Sequence, residues 1–213
     1  MPRVLPEYKE EAKTRILEAA NQVFAEKGYR NATMEDVAKK IGVSKGALYL
    51  YFTGKEELFE AICRAEPMTL KDILYSTFNE ERDPLQSASE FFDKMTERYG
   101  SDRGLTFEIF SEASHNPGLK RILRKTHGDY LEILTGFLGQ LQAKEFIDTG
   151  LDLHDTANAV IGLWNGIETL MLSGLATAEA KRAWLAGFKA IFMPRQVTNQ
   201  PRQGKPLSGM KDK

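Results

Sequence analysis

An all-α fold in two parts is predicted for this 213-residue chain: a short three-helix N-terminal domain of helix-turn-helix type, then a larger helical domain. Three observations predict it. Apolar residues recur at three-and-four spacing along most of the chain, helix-capping residues stand where these stretches begin, and no stretch shows sustained strand alternation.

In the first helix Ala12, Ile16, Ala19, Ala20, Val23 and Phe24 form the apolar stripe, with Lys13, Arg15 and Glu18 opposite. Gly28 is expected to end it, being tolerant of positive φ. Thr33 and Asp36 form a variant capping box for a second helix carrying Met34, Val37, Ala38 and Ile41, which Gly42 stops. Only Val43 then precedes Ser44, the expected cap of a third helix over 45–52. A turn this tight forces the two helices to cross steeply, which is helix-turn-helix geometry. Tyr29, Val37, Ala38, Ile41, Val43, Leu48 and Phe52 read as a miniature core. Lys45, Gly46, Ala47, Tyr49 and Tyr51 are left largely off the buried stripe, an unusual surface for a face without a partner.

Thr53 and Glu56 read as the capping box of a fourth helix, which places Lys55 in a first turn where the helix dipole disfavours a cation. Either a phosphate removes that conflict, because exposed N–H groups and a lysine both favour an anion, or Lys55 simply points into water. The later helices are expected at 54–66, 68–79, 84–99, 104–115, 117–145, 152–174 and 177–192. Asp83-Pro84 and Asn116-Pro117 open two of them, Asp152 with Asp155 caps another, and Thr177 is the expected cap of the last. Pro67 either kinks one long helix or separates two. The division expected is 1–53, 54–193 and a polar, Pro/Gly-rich, basic tail over 194–213 that reads as disordered.

Composition narrows the function classes. Hydrophobic residues at 42% and charged residues at 28% suit a soluble globular protein. The N-terminus lacks a secretory apolar stretch and no run reaches membrane-spanning length, so a cytoplasmic protein with no membrane partner is expected. Cys63 is the single cysteine, which excludes an internal disulfide and a cysteine-rich zinc site. The net charge of -1 hides a gradient: 11 basic against 10 acidic residues over 1–64, 13 against 19 over 65–192, and 5 against 1 over 193–213. Charge alone is therefore weak support for a nucleic-acid partner.

The run from Thr33 to Leu58, TMEDVAKKIGVSKGALYLYFTGKEEL, resembles the DNA-binding signature of the TetR family of bacterial regulators, and the likeness extends back through FAEKGY at 24–29 to cover roughly residues 10 to 62. The resemblance implies that Ser44, Lys45 and Gly46 open a recognition helix entering the major groove of double-stranded operator DNA. There Lys45 can donate to guanine O6 and N7, and Ala47 can touch a thymine methyl. Thr33, Tyr49, Tyr51 and Lys55 would hold phosphates and set register. Tyr51 departs from the histidine that many relatives carry.

The resemblance also implies that the larger domain dimerises and binds a small-molecule effector. Gly162, Gly166 and Gly174 on one helix suit close helix packing, and Leu163, Trp164, Leu170, Met171, Trp184, Leu185, Phe188 and Ile191 offer apolar surface for a homodimer through the last two helices. The alternative is that this surface completes the core of one chain. Phe91, Phe92, Met95, Tyr99, Phe107, Phe110, Tyr130, Leu134, Trp164 and Asn165 are candidates for a pocket taking an apolar or aromatic effector, although aromatic residues at helical spacing are commonly plain core. Glu108, Glu112 and His115 can share a helix face and invite a metal reading, but neither His127 nor His154 is tied to them by a motif. No phosphate loop, nucleophile elbow or zinc motif is present, so no metal, cofactor or enzymatic activity is expected. The rivals to a repressor are a scavenging protein that has lost its DNA role and a helical enzyme using Glu108, Glu112 and His115.

Overall fold

The computed structural model describes residues 6–78, 82–100 and 103–193; the tail expected to be disordered lies outside them. Among the described residues are α1 (Pro6–Asn31), α2 (Met34–Ile41), α3 (Lys45–Tyr49), α4 (Lys55–Thr77), α5 (Pro84–Tyr99), α6 (Arg103–Ala113), α7 (Pro117–Ala143), α8 (Leu153–Leu172) and α9 (Thr177–Phe192), with no strand.

Helix starts follow the sequence closely. Thr33 accepts from the Asp36 N–H at 3.1 Å while Asp36 accepts from the Thr33 N–H at 3.1 Å, completing the capping box. Asp83, Asn116 and Asp152 cap α5, α7 and α8 through their side-chain oxygens. Gly42 closes α2 in the left-handed region (φ 74, ψ 30), which turns the chain into α3 within two residues. Gly28 breaks α1 at φ 76 and ψ 156, and the last turn to Asn31 is offset across that kink.

Four local expectations change. The third helix stops at Tyr49 rather than at residue 52, because its last turn tightens: the Leu50 N–H bonds Ala47 O and the Tyr51 N–H bonds Leu48 O. Gly54, not Thr53, is the N-cap of α4 and supplies no side-chain bond; Thr53 instead donates its N–H at 2.7 Å and its hydroxyl at 2.8 Å to Glu57 Oε2, and not to Glu56. Ala176, not Thr177, is the N-cap of α9 and supplies no side-chain bond. Pro67 lies inside one continuous α4, so the bond it cannot donate is the one to the Cys63 carbonyl. The helix survives because both halves are anchored. Leu58, Phe59 and Cys63 belong to one core cluster, and Leu70 and Leu74 to another.

The first cluster gathers Ile16, Ala20, Val23 and Phe24 of α1, Val37 and Ala38 of α2, and the fully buried Leu48 of α3. It is completed by Ile109 and Ala113 of α6 and Leu119 and Ile122 of α7. The second cluster lies among α4, α5, α7, α8 and α9 around Phe92, Leu138, Ile167 and Trp184.

Candidate functional site

The turn into α3 is held from beneath and open above. Leu48 is fully buried and Phe52 is 5% exposed, so these two fix the short helix to its scaffold. Ser44 Oγ accepts from the Ala47 N–H at 3.2 Å. Thr33, Ser44, Lys45, Gly46 and Tyr49 are exposed, while Ala47 and Tyr51 are half-buried, with Tyr51 packed against the first core cluster. Val43, expected in the miniature core, is instead exposed because the Gly42 turn carries it outward. Leu50 is 80% exposed beside Tyr49, a position that periodicity did not single out. Among the described residues a side chain at Gly46 would meet only the Ser44 hydroxyl, 3.9 Å away, so none of them demands a glycine there.

Lys55 does not point into water. Its Nζ donates to Tyr29 O at 2.7 Å and Arg30 O at 3.2 Å and lies 4.5 Å from the centre of the Tyr29 ring. Burial pushes its pKa below the ordinary lysine value, opposed by the nearby carboxylates of Glu108, Glu112 and Glu56. From the other side Glu108 accepts from the Tyr29 N–H at 3.0 Å and the Arg30 N–H at 2.8 Å, and Arg30 pairs with Glu112 at 2.8 Å. The peptide units after Gly28 are thus clasped by a cation from α4 and a carboxylate from α6. Asn116 Nδ2 donates to Glu56 Oε1 at 2.9 Å and ties the start of α7 to the same corner. Glu108 and Glu112 are therefore engaged in joining helices, His115 is exposed apart from them, and no metal-ligand group of three occurs among the described residues.

Within the larger helical layer a cavity of about 570 Å³ is lined by residues of α4, α5, α7, α8 and α9 and of the α7–α8 loop. Its aromatic wall is Phe78, Phe91, Phe137, Trp184 and Phe188, with ring centres 5.5 Å apart for Phe78–Phe137 and 5.6 Å for Phe91–Trp184. Of the ten pocket candidates named from the sequence, Phe91 and Leu134 line this cavity. Trp164 packs behind it, edge-on to Phe91 and Trp184. Met95 is buried in the same core, and Tyr99 and Tyr130 are partly buried against it, their hydroxyl pKa values raised first by burial and then by Glu66. Phe107 and Phe110 pair with each other at 6.4 Å on α6, with Phe110 46% exposed, and Asn165 lies on the exposed face of α8. Trp184 and Phe188, weighed for a dimer seam, are buried in their own chain at 3% and 7% exposure.

Residues 16–62 match the family model described as bacterial regulatory proteins, tetR family. Over these residues the chain is similar to the TetR family. The HTH-type transcriptional regulator UidR of Escherichia coli K12 is 28% identical over 162 residues, which is 73% of this chain and 79% of the relative. The uncharacterized HTH-type transcriptional regulator YfiR of Bacillus subtilis is 33% identical over 136 residues, 62% of this chain and 65% of its own. The solved structure of Salmonella enterica GusR superposes with a TM-score of 0.71 at 22% identity, covering 89% of this chain and 98% of that one, and so shares the fold.

In this chain α4 contributes to both core clusters, the one beneath the α2–α3 turn and the one beside the cavity, and α6 clasps the end of α1. Arg103, at the start of α6, pairs with Glu168 of α8 at 2.7 Å, so α6 is tied to α8 as well as to α1. No helix among the described residues is long and apolar enough to cross a membrane.

Proposed function

We propose that this protein is a TetR-family repressor that binds a palindromic operator as a homodimer and is released by a small apolar or aromatic effector held among α4, α5, α7, α8 and α9. The observation that carries the DNA reading is the outward face of Ser44, Lys45, Gly46 and Tyr49, set on the buried Leu48 and Phe52. Lys45 would read base edges and Ala47 a thymine methyl. Thr33, Tyr49 and Tyr51 would hold phosphates. Lys55 reaches a phosphate only in competition with the Tyr29 and Arg30 carbonyls. Gly46 fits the same reading, since an interior helix glycine costs roughly 1 kcal/mol relative to alanine and none of the described residues explains it.

Support for a homodimer comes from α8 and α9. A side chain at Gly162 or Gly166 would meet nothing within 4 Å, and Leu170 and Leu172 are 48% and 49% exposed on the same helix. On α9 the exposed positions include Ala183, Ala186 and Ala190, all small. Two such faces can approach closely across a two-fold axis, which matches the two half-sites of an operator. An effector in the cavity would favour a conformation whose recognition helices no longer fit successive major grooves, so operator and effector compete through one equilibrium.

The test is selection of bound duplexes from genomic DNA, followed by gel-shift titration of the recovered site. Wild-type protein should bind as a dimer with a two-fold symmetric footprint. Lys45→Ala should cost about 1–3 kcal/mol on that site and relax its base preference. A protein that stays monomeric and recovers no duplex above background refutes the reading.

A further inference from the structure

The surface beside the α2–α3 turn carries an apolar side chain that the rest of the fold leaves bare. Leu50 follows directly on α3 and is 80% exposed, which makes it the most exposed large hydrophobic among the described residues. Val43 and Tyr49 nearby are also exposed, whereas Leu48 and Phe52 are buried. Leaving a leucine in water forfeits the gain of burying it, and a bare apolar group of this kind marks a contact surface.

The backbone sets the position of Leu50 on that surface. The last turn of α3 is tightened: the Leu50 N–H bonds Ala47 O at 3.3 Å and the Tyr51 N–H bonds Leu48 O at 3.0 Å. Such a turn repeats every three residues, so Leu50 stands in line with Ala47, and Tyr51 with the buried Leu48. Gly46 lies one turn before Leu50 on the same side. The outward edge of α3 is therefore small at Gly46 and Ala47 and bulky and apolar at Leu50. Lys45 is the single charged residue from Ile41 to Gly54, so no carboxylate in this segment opposes a polyanion. The exposed face of α2, by contrast, carries Glu35, Lys39 and Lys40.

We infer that Leu50 is a specificity-determining residue that packs on the 5-methyl group of a thymine in the major groove. The inference rests on the operator reading proposed above and adds to it a residue that reads bases. Among the groups that base pairs present in the major groove, the thymine methyl is the apolar one. The others are donors and acceptors, which a leucine would strip of water without replacing their hydrogen bonds. The shortness of α3 keeps its far end inside the groove, since five residues span roughly 7.5 Å against a groove about 12 Å wide. From Ala47 to Leu50 the chain rises roughly 4.5–6 Å, between one and two base-pair steps of about 3.4 Å. The methyl under Leu50 thus lies one or two base pairs from the one that Ala47 meets.

The test uses the full-length protein and the duplex recovered by genomic selection, with each thymine replaced in turn by deoxyuridine, in one half-site and then in both. Uracil pairs as thymine does and lacks only the methyl. Fluorescence anisotropy at one fixed salt concentration gives the affinities. At one position the replacement should weaken wild type about fourfold per half-site, the worth of one buried methyl, and about fifteenfold when both half-sites carry it. Leu50→Ala should bind the unmodified duplex several-fold more weakly and respond to uracil at that position by less than about twofold, with the response at every other thymine as in wild type. Leu50→Met should keep the wild-type scan. Because Leu50 is exposed, Leu50→Ala should melt at the wild-type temperature.

The inference is overturned if the recovered half-sites share no thymine, if no uracil weakens wild type, or if Leu50→Ala weakens every duplex alike and keeps the wild-type scan. The two readings fail separately. A protein that recovers no duplex above background refutes the operator reading and this inference together, whereas a dimer that binds its duplex with a scan indifferent to Leu50 refutes this inference alone.

Discussion

Removing the Glu108 carboxylate should loosen the N-terminal helices from the rest of the molecule, and the size of the effect can be worked from two contacts. Glu108 accepts from the Tyr29 N–H at 3.0 Å in a partly buried setting and from the Arg30 N–H at 2.8 Å in an exposed one. A hydrogen bond to a charged group contributes about 1.5–3 kcal/mol, and solvent screening roughly halves the exposed member, so Glu108→Ala should cost about 2–4 kcal/mol. For a chain of this size that is a fall of roughly 5–15 °C in the melting temperature. Glu108→Gln keeps an acceptor oxygen and loses the charge, so about half the loss is expected. Thermal and urea unfolding of the three proteins measure this, and amide exchange at Tyr29 and Arg30 locates it. A loss below about 0.5 kcal/mol for Glu108→Ala, or unchanged protection of those two amides, would refute the argument.

The remaining predictions concern the same end of the molecule. Gly28→Ala forces a Cβ into φ 76 and against the Glu108 carboxylate, so urea unfolding should show a loss larger than the roughly 1 kcal/mol typical of strain alone. Thr33→Ala removes the acceptor for the Asp36 N–H and should destabilise α2 by about 1 kcal/mol, while gel shifts at matched folded fraction report any phosphate contact separately. The Asp36 carboxyl is held down to about 2 by Lys27 and Thr33, so the stability it contributes is present above the ordinary aspartate range and is lost as the pH falls through about 2. An NMR titration in which Asp36 protonates near the ordinary aspartate value would contradict this. Burial pushes the Cys63 thiol up to about 12, so a disulfide reagent at pH 8 should label it orders of magnitude more slowly in folded than in urea-unfolded protein.

Much of the fold is written in local chemistry. Helix starts at Asp83, Asn116 and Asp152 follow from side chains that bond the N–H groups just ahead of them, and a capping bond needs no tertiary information. The errors fall where distant residues decide. Whether Pro67 breaks α4 depended on packing on both sides of it, and it is Glu57 that reaches Thr53 while Asn116, far along the chain, engages Glu56. The exposed face of Ser44, Lys45, Gly46 and Tyr49 was legible because Leu48 and Phe52 are spaced as anchors. The cavity was largely not: Phe78, Phe137, Trp184 and Phe188 come from two different helices and the end of a third, and periodicity tells that such rings are buried but not that they surround a space. Lys55 was legible as a cation in the wrong turn of its helix. Its partners, the carbonyls of Tyr29 and Arg30, lie 26 and 25 residues earlier, beyond the reach of local spacing.

The way the first core cluster is closed bears on engineering with this protein. Phe24, Val37 and Leu48 share their cluster with Phe59, Ile109, Ala113, Leu119 and Ile122, which lie in three later helices. A chimera spliced between residues 53 and 54 would set a foreign lid over those three side chains, and its yield would depend on how well the donor's equivalents of α6 and α7 matched them in shape. Joining another set of later helices to these N-terminal ones therefore means transplanting the facing patches of α6 and α7 as well.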